Sequence, residues 1–217
     1  MMATTHALVG FALGALATAL GVPAGPALLA AVAGSVLPDF DLYAGHRRTL
    51  HFPVLYPIAA AAGVVVALAT GGWLPATLAA LLLLGAALHT TADVFGGGLE
   101  LRPWEGTSDR AVYDHVRGRW IAPRRWVRYD GAPEDLLLAG GLAAVAYPFT
   151  ASVPLAEWAI LALLGVSAVY VLLRRVLARL AAQIAGTLPP RVREQLPPRY
   201  VEGAGSSAGA GSLSQRR

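Results

Sequence analysis

Cysteine is absent from all 217 residues, which excludes a disulfide framework, a thiolate metal site and a cysteine nucleophile. Lysine is absent as well, so all 17 basic residues are arginine. Charged residues make up only 14% of the chain against 56% apolar, with a mean hydropathy of +0.55, and that balance lies outside the soluble globular range. Any metal ion would have to be held by histidine and carboxylate. A pI near 9.8 would suit nucleic acid, but the arginines are distributed as in a membrane protein, so no specific nucleic-acid partner is expected.

What the chain has instead is apolar runs. The first, Ala7 to Val22, follows Thr4-Thr5-His6, where a threonine can cap a helix start. It has no Arg or Lys ahead of it and is not expected to be a cleaved signal peptide. The second, Pro26 to Leu37, is stopped by Pro38. Both are short, at roughly 12 to 16 residues against the ~20 of a typical span, and suit a short or re-entrant hairpin. Runs from Phe52 to Thr70 and from Trp73 to Val94 are long enough to span. A fifth starts at Asp130-Gly131-Ala132-Pro133-Glu134-Asp135, with Pro near the first turn and acids beside the positive end of the helix dipole, and continues to Phe149; a sixth runs from Pro154 to Leu173 with an amphipathic extension to Ile184.

These runs predict an all-α polytopic membrane protein with four to six membrane-embedded helices. Four segments follow: a membrane half over 1–104, an Arg/Trp-rich loop over 105–132, a helical hairpin over 133–184, and a Pro/Gly/Ser/Arg-rich tail over 185–217 expected to be disordered. If successive runs alternate direction, His6, residues 39–51, residues 89–93, the Arg/Trp-rich loop and the tail share one face. All 17 arginines fall on that face or at its boundary, and the opposite turns carry no charge. The positive-inside rule makes it cytoplasmic, and abundant Ala and Arg with no Lys suit a GC-rich prokaryotic genome, so a prokaryotic inner membrane is expected. Trp104, Trp120 and Trp126 among arginines suit the lipid headgroup layer, so membrane lipids are expected partners.

The chemistry gathers on the same face. Leu37 to Phe52 is a polar island holding Asp39, Asp41, His46 and His51. His89 and Asp93 stand at i and i+4, on one helical face and able to share a metal. Gly85 continues that face, and His6, Gly10 and Gly14 repeat the spacing in the first run, where small residues allow close helix approach. An ionisable Asp within a span is functional by default, so a divalent metal site outweighs coincidental polar lining. Arg47 and Arg48 either set topology or clamp a phosphate through a guanidinium fork. His115 falls outside the set and reads as a surface histidine.

Thr5-His6, Leu37-Pro-Asp-Phe-Asp41, His46-Arg-Arg-Thr-Leu-His51, Leu88-His-Thr-Thr-Ala-Asp93 and Arg102-Pro103-Trp104 together resemble the LexA-binding, inner-membrane-associated family of metal-dependent hydrolases, over about half the chain. Family members often carry Ser after the second island histidine, where this chain has Phe52. The ligand order is also similar, more weakly, to the zinc-dependent phospholipase C and nuclease group, which implies phosphoester chemistry. The resulting expectation is a membrane-bound metal-dependent hydrolase of a phosphoester, possibly lipid-linked. It would bind one or two ions, zinc first, through His6, His51, His89 and Asp93, with Asp41 next. Asp39 or His46 would act as general base or outer support. The alternatives are a non-catalytic scaffold and a metal or proton transporter.

Overall fold

The computed structural model describes residues 1–42, 44–197 and 199–200, and each of the six apolar runs is helical in it. They form α1 (Ala3–Ala19), α2 (Ala24–Val36), α3 (Leu55–Ala69), α4 (Leu74–Phe95), α5 (Pro133–Ala146) and α6 (Pro154–Thr187). The protein is thus essentially all-helical. Two helices, α4 and α6, are long and apolar enough to cross a membrane. α2, with 13 residues, rises only about 20 Å, short of a ~30 Å hydrocarbon layer.

Helix starts and stops follow local chemistry. Prolines stand in the first turns of α4, α5 and α6, where the missing N–H would be unpaired anyway. α2 gives way at Pro38 to a 3-10 turn, Leu37–Asp41, which carries both island aspartates. The threonine cap expected for α1 is not formed, because both threonines lie inside the helix. The cap comes from α5: Asp135 Oδ2 accepts the Met2 N–H at 2.8 Å, and its Oδ1 accepts the Thr5 hydroxyl at 2.7 Å.

Part of the tail expected to be disordered from residue 185 is ordered. α6 continues to Thr187, and Pro190–Arg193 forms a one-turn α7. The break between them sits at Leu188, which is extended ahead of Pro189, as the residue before a proline prefers. The rest of that expectation, 201–217, lies outside the described residues.

The Arg/Trp-rich segment holds a small antiparallel hairpin, β1 (Val112–Asp114) with β2 (Arg119–Ile121), not foreseen from sequence. Tyr113 stands opposite Trp120, an aromatic cross-strand pair. Asp114 closes the turn by accepting the Val116 and Arg117 N–H groups.

α2 is the central member of the site-bearing half. A Cβ on Gly10 of α1 would lie 2.6 Å from Val32 Cα, and one on Gly85 of α4 would lie 2.6 Å from Ala31 O, both in α2. The small-residue faces of α1 and α4 therefore both pack closely against the same short helix. Beyond it, α1, α5 and α6 pack through Leu8, Phe11, Ala139, Ala143 and Ile160. These contacts bring the start of α1, the end of α2, the end of α4 and the start of α5 to one end of the bundle.

Candidate metal centre

At that end, five buried or half-buried side chains face one small space. His6, His89 and Asp93 form one group spaced to hold a metal ion, and Asp39, His51 and His89 form a second. α1 supplies His6, α4 supplies His89 and Asp93, and the island supplies the other two. The His6 and His89 rings stack with centroids 3.7 Å apart. His6, His51, His89 and Asp93 are at most 1% exposed.

Two hydrogen bonds decide which imidazole nitrogens are free. His89 Nδ1 lies 2.7 Å from the Ser35 carbonyl, which only accepts, so Nδ1 carries the proton and Nε2 is directed into the cluster. His51 Nδ1 lies 2.9 Å from Asp41 Oδ2, which fixes the same tautomer there. The two Nε2 atoms then face one another at 3.2 Å. Two bare lone pairs at that separation repel, so the geometry calls for a proton or a cation beside them. His6 adds capacity: its Nε2 is 3.1 Å from Asp93 Oδ1, and its Nδ1 is buried without a protein partner among the described residues.

Asp93 is the hub. Its Oδ1 meets His6 Nε2, the Met1 nitrogen at 3.0 Å and Arg47 Nη2 at 3.2 Å. Its Oδ2 lies 3.4 Å from His51 Nε2 and 3.5 Å from His89 Nε2. A buried carboxylate so surrounded is satisfied electrostatically, as buried charges must be.

Asp41 stands behind the cluster rather than in it. Oδ1 takes His46 Nδ1 at 3.1 Å and the Arg47 N–H at 3.3 Å, and Oδ2 takes His51 Nδ1 and, at 3.1 Å, the Leu50 N–H. About four lone-pair sites are all that a carboxylate has, and these four contacts use them. Asp39, by contrast, reaches His89 Nε2 at 3.5 Å and keeps 22% of its side chain exposed. The geometry thus favours the reverse of the expected ranking, with Asp39 among the ligand-spaced groups and Asp41 as orienting support. The cause is the 3-10 turn, which points the two aspartates in different directions.

The electrostatics of the island agree. Burial pushes Asp39 up, but pairing with His89 outweighs it and holds the carboxyl down at about 2. Asp41 is likewise pushed up by burial but held well below the usual carboxylate range by its bonds to His46 and His51. Burial lowers His46 despite Asp41, leaving it a neutral imidazole at pH 7. His51 resists its burial through Asp41 and Asp93 and titrates above the usual 6.5.

The two island arginines part company. Arg47 is buried at 6% exposure, donates through Nη1 to Gly97 O at 2.8 Å, and has an Nε without a partner among the described residues. Its backbone sits at φ 60, a left-handed conformation uncommon for a non-glycine residue and held here by contacts on both sides. Arg48 is exposed and stacks over Tyr113 at 4.6 Å, away from the cluster. His115 is exposed and contacts the Arg48 carbonyl.

No family model, curated protein or solved structure matches the chain. The metal-spaced cluster is therefore read from its own geometry. Sequence reasoning missed Ser35, whose carbonyl carries no residue-type signal, and Asp135, whose place in a first helical turn reads as an ordinary dipole partner.

Proposed function

We propose that this protein is a membrane-bound metal-dependent hydrolase acting on a phosphoester, with its site at the cytoplasmic face of a prokaryotic inner membrane. The observation that carries the reading is the facing pair of His51 and His89 Nε2 atoms, each with its Nδ1 committed to an outer acceptor. Orientation of a ligand imidazole by a carboxylate or backbone carbonyl is the usual supporting arrangement of a protein metal site. The resemblance of the motifs to inner-membrane metal-dependent hydrolases points the same way.

The membrane reading is supported by α6, whose apolar window is only 17% buried, whereas the core helix of a soluble protein would be mostly buried. Exposed Leu155, Trp158, Leu161, Val169 and Leu172 extend that apolar surface along the helix. Polar groups collected at one end of the bundle, rather than along a path through it, fit a surface site better than a transporter.

His6, His51, His89 and Asp93, with Asp39, would offer a zinc-class ion the imidazole and carboxylate donors it takes, for one or two ions. Such an ion, when bound, lowers the pKa of water and polarises a phosphoryl oxygen. Asp41 and the Ser35 carbonyl keep the imidazoles aimed. His46, half-buried at the rim with its Nδ1 held by Asp41, would accept the proton of the attacking water, or Asp39 would where it does not serve as a ligand. Arg47 offers a phosphoryl oxygen its Nε, which has no partner among the described residues.

The test is metal analysis of detergent-purified protein, with bis(p-nitrophenyl) phosphate as probe. Wild type should retain divalent metal and lose hydrolysis on chelation, while His89→Ala and Asp93→Ala should lose at least about tenfold in bound metal. Equal metal in all three would overturn the site.

A further inference from the structure

We infer that the substrate is an amphiphile, a membrane lipid phosphoester whose apolar chain lies in a cavity between the start of α1, the island and α6 while its phosphate meets the cluster. This rests on the hydrolase reading and names the substrate class for it.

The cavity has a volume of about 440 Å³, within the range of sites that enclose small ligands. Two of its wall residues are Asp39 and His46. Asp39 is the cluster member that remains open and His46 stands beside the cluster on Asp41, at 22% and 17% side-chain exposure, whereas His6, His51, His89 and Asp93 are closed off. A molecule reaching the cluster along this edge therefore passes through the cavity.

Its far wall is one face of α6. Val166, Tyr170, Arg174, Leu177, Ala178 and Ala181 line it, at the three- and four-residue spacing of a single helical stripe. Residues 166 to 181 rise about 22 Å along the helix, so the wall is long and narrow. The charges on it are accounted for. Arg174 meets both oxygens of Asp130, at 3.1 Å each, and Tyr170 donates to the same carboxylate at 2.6 Å. Away from the cluster end the charged lining side chains are two carboxylates, Glu100 and Asp130, and two arginines, Arg174 and Arg199, which offset one another. No unbalanced cation holds a phosphate there, whereas Arg47 stands at the cluster end; what the far wall accommodates is an uncharged chain against Val166, Leu177 and Ala181.

Hydrolysis of such a substrate adds one water across the P–O ester bond. The hydroxyl goes to phosphorus, and the one remaining proton of the water, taken up at the rim, passes to the oxygen of the released alcohol.

The test compares two phosphodiesters on the metal-loaded full-length protein in detergent: dioleoylphosphatidylglycerol in mixed micelles and bis(p-nitrophenyl) phosphate. Ala181→Trp fills the far wall, and the ratio of kcat/KM for lipid over soluble ester should fall about tenfold. An unchanged ratio would overturn the inference. In a second arm, a phosphonate lipid with a photoreactive chain should label Ala178 or Ala181, the apolar α6 wall positions that are not exposed. Labelling confined to outward-facing Val169 and Leu172 would overturn it. If metal-loaded wild type hydrolyses neither ester, the hydrolase reading fails, and labelling of the cavity wall decides lipid binding alone.

Discussion

His51 and His89 point their Nε2 atoms at each other across 3.2 Å, while each donates its Nδ1 proton outward, to Asp41 and to the Ser35 carbonyl. Neither partner can be removed without freeing a ring to take the wrong tautomer, and this sets the first expectation. Asp41→Asn keeps the shape but weakens the acceptor, so metal affinity should fall about 10- to 100-fold although Asp41 is not itself ligand-spaced. Competition with a chromogenic chelator measures it. Wild-type affinity in Asp41→Asn, beside a loss in Asp39→Asn, would show that the outer bond is dispensable.

Protons compete with metal at this site. Burial disfavours the charged His51 ring, yet its bonds to Asp41 and Asp93 raise its titration above 6.5. In metal-free protein the stability gained from that proton is complete below 6.5 and is lost as pH rises through the raised value. Metal must displace the proton, so affinity should weaken as pH falls from about 8 to 6, by roughly tenfold per unit for each proton displaced. Chelator titrations across that range check the sign; a flat profile would contradict it.

Asp135 holds the start of α1 through Met2, Thr5 and its own Gly131 N–H contact, and it is fully buried. Asp135→Ala leaves those donors without an acceptor and should destabilise by about 2–4 kcal/mol. Because His6 follows Thr5 directly, metal affinity should fall along with Tm. Thermal melts with and without zinc separate the two losses.

Gly34 is the tightest point between α2 and α4, where an added Cβ would overlap the backbone at Leu82. Gly34→Ala should destabilise by at least about 1–3 kcal/mol. Gly186→Ala, in α6 with open space around it, should be neutral or stabilising by up to about 1 kcal/mol. Melting temperatures in detergent give the comparison directly.

Much of the site could be read along the chain. The His89 and Asp93 spacing is a property of any α-helix, and the repeated small residues at Gly10, Gly14 and Gly85 mark faces that must pack closely. Counting helices then brings His6 and the island to the same end. Hidden from that reading were the split between Asp39 and Asp41, which depends on how a five-residue 3-10 turn aims two side chains, and the different fates of Arg47 and Arg48, which adjacent positions cannot reveal.

By itself the sequence determined six apolar helices, the absence of thiol chemistry, and a set of histidines and aspartates collected at one end, because periodicity, proline placement and composition act locally. Only the tertiary structure decided which nitrogens face inward, which aspartate orients and which stands among the ligands, and that α5 fastens the helix carrying His6. Those outcomes depend on hydrogen bonds between residues as far apart as Ser35 and His89, or Thr5 and Asp135, and no local pattern encodes such pairings.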